Sequence, residues 1–207
     1  MSETTKSNHE IQVEQAAKRF LEYDQTHMIE RFALPHTDET IAVTFFSAEY
    51  LINRSTGVIT RALDGSAAGF REALSIYDLL CYSKEGAALS GQWAPLSSLH
   101  SNVAITHSNS LLSFSSTNFS GHILELRAAC EQLGGIPFAK SDAGYCFAAF
   151  DCLPIVFQFW EGDDDFPSRM SVLFDSNTLD FIHYETGWYI AGQLLSLIEG
   201  AMNIKQE

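Results

Sequence analysis

Ile155-Val156-Phe157-Gln158-Phe159-Trp160, Glu161-Gly162-Asp163-Asp164-Asp165-Phe166-Pro167 and Met170-Ser171-Val172-Leu173-Phe174-Asp175 form the stretch on which the fold turns. Two short runs rich in β-branched and aromatic residues flank a segment of turn formers, which is the pattern of an antiparallel hairpin. Residues 155–160 and 170–174 are expected to be strands paired across an acidic loop, with a further strand at 147–150. Three consecutive aspartates repel one another and resist desolvation. Either a turn leaves them in water, or something cationic binds there.

Toward the N-terminus, Ser7-Asn8-His9-Glu10 has the spacing of a capping box. Val13, Ala16, Ala17, Phe20, Leu21, Met28 and Phe32 follow at helical intervals, predicting one helix that lasts until Pro35. Residues 1–8 are expected to be disordered ahead of it. Three β-prone runs, 40–46, 49–53 and 58–61, come next, with Arg54-Ser55-Thr56-Gly57 as a hairpin turn in which Gly57 supplies a positive φ. Ser66 is a candidate cap for a second helix that buries Phe70, Leu74, Tyr77, Leu80 and Cys81. Serine crowds residues 97–120; because its hydroxyl competes for backbone hydrogen bonds, loops with short elements are expected there. A third helix is predicted over 119–133, stopped by Gly134-Gly135, and a last one over 186–202. Strand runs separated by helices without β-α-β alternation define an α+β class: antiparallel sheet units packed with about four helices, in a single domain spanning 1–207.

The composition narrows the partners. With 26 acidic against 12 basic residues the net charge is −14. Nucleic acid and anionic membrane surfaces would repel such a chain, so neither is expected as a partner. The first ten residues lack the apolar core of a signal peptide, and no apolar run reaches the roughly 18 residues of a membrane span, so a cytoplasmic location is expected. Cys81, Cys130, Cys146 and Cys152 are then free thiols.

Four segments occur in a telling order: Leu89-Ser90-Gly91-Gln92-Trp93, Leu133-Gly134-Gly135-Ile136-Pro137, the acidic block from Trp160 to Pro167, and Leu173-Phe174-Asp175. Together they resemble the DUF3786 family over about residues 68–198, with a looser fit in the N-terminal hairpins. The family is uncharacterised and occurs mostly in anaerobic bacteria and archaea. The resemblance implies a role in anaerobic metabolism, beside corrinoid or iron–sulfur enzymes. Unlike cysteine-richer relatives, this chain has no cysteine before Cys81, which speaks against a bound cluster.

The residues themselves offer several candidate sites. Asp163, Asp164, Asp165 and Asp175 have the oxygen chemistry of a hard-cation site, though without EF-hand spacing; the plainer reading is a solvated turn. Arg169 suits either an ion pair with Asp165 or an anionic ligand. Trp93 and Trp160, with Trp188, are candidates for the walls of a pocket for a flat ligand, or for ordinary core. The pairs His27/Glu30 and His122/Glu125 share helix faces but reverse the Glu-x-x-His order of di-iron bundles, and no cysteine spacing matches zinc. No phosphate-binding glycine loop and no nucleophile elbow is present.

The expected ligand-binding residues are therefore Trp93, Trp160, Asp163, Asp164, Asp165, Arg169 and Asp175, with no metal centre, no specified cofactor and no assigned catalytic residue. The expected function is a non-catalytic accessory or ligand-binding module, its partner a metabolic enzyme or small ligand. The alternative is an enzyme using the acidic loop through a divalent metal or a buried carboxylate.

Overall fold

The computed structural model describes residues 6–99, 118–138 and 140–202. Helix α1, Asn8–Glu22, begins where the capping box places it. Glu10 N–H donates to Ser7 Oγ at 3.3 Å and Ser7 N–H donates to Glu10 Oε2 at 2.7 Å. The single N-terminal helix expected from apolar spacing is two. Asp24 Oδ1 accepts from the N–H groups of Thr26 and His27, capping a separate helix α2, Gln25–Phe32. Apolar periodicity carries across the break because both helices bury the same side; a capping carboxylate resets the axis without interrupting that pattern.

Strands β1 (Thr40–Phe45), β2 (Ala48–Asn53) and β3 (Ile59–Arg61) form an antiparallel meander. Its second turn works as the sequence predicts: Asn53 Oδ1 accepts from the N–H groups of Ser55 and Thr56, and Gly57 sits at φ +74°. A Cβ on Gly57 would meet the carbonyl oxygen of Ala17 at 2.8 Å, so the turn lies directly against α1. Tyr77 Oη donates to the Gly57 carbonyl at 2.5 Å and ties in α3, Phe70–Tyr82.

Ser66 does not cap α3. Its N–H and hydroxyl both donate to Asp64 Oδ1, and the helix starts after Gly69, whose N–H donates to Glu72 Oε2 at 2.6 Å. Glu72 is buried, and it also pairs with Arg61 at 2.5 Å and accepts from Gln193 at 3.3 Å. Such partners offset the cost of taking a carboxylate out of water.

A second antiparallel sheet has the order β4-β8-β7-β6-β5: β4 Trp93–Pro95, β5 Ile136–Pro137, β6 Ala143–Phe150, β7 Leu153–Trp160 and β8 Arg169–Asp175. As the opening stretch predicts, β7 and β8 pair across the acidic loop, from Ile155↔Phe174 to Trp160↔Arg169. Residues 155–159 of β7 are buried without alternation, because β7 is the middle strand and both faces are covered. Pro154 is tolerated at the strand start, beside the irregularity between Ala148 and Phe150. The two sheets join where Phe46 N–H donates to the Ala149 carbonyl and Phe45 stacks on Phe150 at 4.8 Å.

Helix α4, Ile123–Gln132, is shorter than predicted, and Gly134 at φ +79° ends the turn after it. Helix α5, Tyr184–Ala201, is the last of the described elements. Among the described residues the structure is thus α+β with five helices and two antiparallel sheets. Within the serine-rich stretch, residues 100–117 lie outside the described residues. His9 stacks on Phe70 and Phe20 meets Tyr77, so α1 and α3 run in the same direction; α5 packs on the other side of α3, where Arg71 bonds the Gly192 carbonyl and Ser196.

Candidate functional site

The residues singled out in the sequence fall into two groups at opposite ends of β8. Trp93 and Asp175 face each other across β4 and β8; Trp160 and Arg169 do so across β7 and β8. Strand rise separates Arg169 from Asp175 by about 20 Å, so Asp175 and the triple aspartate do not form one constellation.

Asp175 is only 1% exposed. Its Oδ1 accepts from Ser90 N–H at 2.9 Å, Ser90 Oγ at 3.0 Å and Asn177 N–H at 2.8 Å, and its Oδ2 from Gly91 N–H at 2.7 Å. Burial pushes its pKa up, but these donors outweigh burial and hold it below the usual carboxylate range. The Leu-Ser-Gly-x-Trp and Leu-Phe-Asp segments are therefore two halves of one clamp, in which the carboxylate of the second fixes the loop that starts β4.

The acidic loop is a turn in water. Asp163, Asp164 and Asp165 are all exposed. Asp163 Oδ1 accepts from the N–H groups of Asp165 and Phe166 at 2.9 and 2.8 Å, and Asp163 N–H donates to the Phe166 carbonyl. Gly162 has no room for a side chain: a Cβ would meet Ser168 N at 2.7 Å. Arg169 lies over the Trp160 ring at 4.3 Å instead of pairing with Asp165.

The acid that does bind something at this end is Glu161. It accepts from Ser120 Oγ at 2.6 Å and Gly121 N–H at 2.9 Å, docking the loop on the approach to α4. Burial raises its pKa, but bonds from Ser120, Gly121 and Gly162 outweigh that and lower it. Its place beside the triple aspartate was visible in the sequence; its partner forty residues upstream was not.

Trp93 meets Phe138 edge-on and Trp188 meets Tyr184, so the three tryptophans serve separate contacts. His27 lies in α2, while His122 is the residue preceding α4. Among the described residues no three His, Cys, Asp or Glu side chains come together to hold a metal ion. The cysteines are free. Burial pushes Cys81 and Cys130 up to about 12 and Cys152 to about 11.

A cleft of about 260 Å³ lies elsewhere, between α1, α3 and the start of α5. Its wall contains Arg19, Tyr23, Tyr82, Tyr189, Asp78 and His183, and no tryptophan. Helical spacing sets Arg19 and Tyr23 one turn apart, and Asp78 and Tyr82 likewise. The other six arginines each have a partner: Arg31 on Ser83, Arg54 on Gln25, Arg61 on Glu72, Arg71 on Ser196, Arg127 on the Asp142 carbonyl and Arg169 on Trp160. Arg19 alone among the seven has no hydrogen bond, ion pair or ring contact with any described residue. Sequence inspection missed this cleft because its residues come from three helices and none belongs to a motif.

The sheet order, the Asp175 clamp and the helical layer with its open cleft define an α+β domain stapled by backbone-binding carboxylates. The chain belongs to the DUF3786 family, a domain of unknown function, whose family model matches residues 24–196. That match reaches further toward the N-terminus than the four segments suggest, taking in α2 and the β1–β3 meander. No curated protein and no solved structure gives a significant match. No helix among the described residues is long and apolar enough to cross a membrane.

Proposed function

We propose that this protein is a small-ligand-binding accessory module for a metabolic enzyme, located in the cytoplasm, with its ligand seated in the cleft between α1, α3 and α5. The observation that carries this reading is Arg19. In a chain of net charge −14, a guanidinium at a cleft with no hydrogen-bond or ion-pair partner among the described residues is open to an anion from outside. Tyr23, Tyr82 and Tyr189 add flat apolar walls with hydroxyl tips, which suits a small ring or chain bearing a carboxylate or phosphate. The anaerobic setting comes from the family resemblance. An enzyme built on Asp163, Asp164, Asp165 and Asp175 has less support, because Asp163 and Asp175 already accept backbone donors and stand at opposite ends of β8.

Benzoate and phenyl phosphate, titrated into labelled protein and followed by NMR, test the reading. Saturable shifts at Arg19, Tyr82 and Tyr189 are expected, weakened by Arg19→Gln about tenfold or more, as fits the loss of a charged hydrogen bond. Shifts that do not saturate, or that survive Arg19→Gln unchanged, would overturn it.

A further inference from the structure

The same cleft holds a pair of side chains that its binding role does not require. Asp78 in α3 and His183, the residue preceding α5, lie 105 positions apart in the chain. His183 N–H donates to Asp78 Oδ2 at 2.8 Å, and His183 Nδ1 lies 2.6 Å from Asp78 Oδ1. An ionised carboxylate only accepts. In the neutral ring the proton is therefore assigned to Nδ1, and Nε2 carries a bare lone pair. No described residue hydrogen-bonds Nε2. The Tyr82 ring packs on the imidazole with centroids 3.6 Å apart, so the ring is oriented from two sides. Docking of α5 on α3 is already served by the backbone N–H bond and by the Arg71 and Gln193 bonds. The second bond, to the ring, sets a tautomer, and that is what a proton-transfer group requires.

We propose that Asp78 and His183 form a general-base couple that hydrolyses a small acyl ester or thioester whose anionic end is held by Arg19. This rests on the ligand reading of the cleft. His183 is the catalytic residue and Asp78 its positioning residue. His183 Nε2 takes a proton from a water molecule as the water oxygen bonds to the acyl carbon. Collapse of the tetrahedral adduct breaks the C–O or C–S bond. The proton on Nε2 passes to the leaving alkoxide or thiolate, giving an acid and an alcohol or thiol. An activated acyl carbon is an electrophile that water attacks with an imidazole as general base, without an oxidant or reductant. Water is the nucleophile because Cys81, the thiol in the same cleft, is kept protonated by burial and by Asp78.

The test uses the full chain with two probes, 4-nitrophenyl acetate and the anionic 4-nitrophenyl succinate half-ester, following nitrophenolate release. His183→Asn keeps a residue that favours the position before a helix, so folding is retained and circular dichroism checks it. This variant is expected to lower kcat/KM on both esters about 100-fold, the low end of a general-base contribution. Asp78→Asn keeps an acceptor for the His183 N–H but not the charge beside the ring; kcat should fall with KM unchanged. Arg19→Gln should raise KM for the half-ester by a larger factor than for the acetate. Equal rates for the wild type and a folded His183→Asn would overturn the couple, while Arg19-dependent benzoate binding would keep the ligand reading standing. Rates that depend on His183 but ignore Arg19 on both esters would support the couple and sink the anionic-end assignment.

Discussion

Replacing Asp175 with alanine should be the most damaging single change in the residues that mark the family. The side chain is buried, and it receives three backbone N–H groups and one hydroxyl. Each donor left without a partner costs about 1–3 kcal/mol if it stays dry. Ser90 and Gly91 are themselves exposed, so water recovers part of that. The net loss should be about 3–5 kcal/mol, a large share of the stability of a domain this size. Urea unfolding followed by tryptophan fluorescence would read this as a midpoint shift of about 1–2 M, taking a slope near the upper end of the usual range. Ser90→Ala removes only the hydroxyl and should cost about 1 kcal/mol, a cost that should vanish when Asp175 is already alanine.

The same carboxylate predicts a pH window. Its folded pKa is depressed, so its contribution is fully present above the unfolded value of about 4 and fades as pH falls through the lower folded value. Wild-type stability should drop in that acid range, and an Asp175→Asn variant should drop less. An Asp175→Ala protein within about 1 kcal/mol of wild type would refute the clamp, since the loss of a buried acceptor of four hydrogen bonds cannot cost so little.

Two further outcomes follow from crowding and from burial. Gly144→Ala should destabilise by about 2 kcal/mol or more, because a Cβ there would lie 2.3 Å from the Phe138 carbonyl oxygen and 2.5 Å from Ser141 Oγ; thermal melting checks it, and an unchanged midpoint would show that the β5–β6 turn yields. Cys81, Cys130 and Cys152 should react with a thiol reagent at pH 8 at least a hundredfold slower in the native protein than in urea, since thiols raised to about 12, 12 and 11 have no more than about one thiolate in a thousand there; fast stoichiometric labelling of the native form would contradict their burial.

Much of the fold was legible along the chain because its signals are local. The capping box at Ser7, the positive-φ turn at Gly57 and the hairpin around the triple aspartate each act over a few residues, where propensity and turn chemistry decide. The break at Asp24 was hidden because both helices keep one apolar side, and the start of α3 was misplaced because Ser66 found a nearer partner in Asp64. The acidic block was legible as turn chemistry, and Asp163 behaves so.

By itself the sequence determined the α+β class, the hairpin across the acidic loop, the strongly negative charge and the segments that mark DUF3786. These depend on periodicity, composition and neighbours in the chain. Only the tertiary structure decided what the marked residues touch: that Asp175 clamps the loop before β4, that Glu161 reaches the approach to α4, and that Arg19, Asp78 and His183 share a cleft. Those contacts join residues from about 40 to more than 160 positions apart, and long-range pairing leaves no periodic trace because it is set by how helices and sheets pack, not by what precedes or follows each residue.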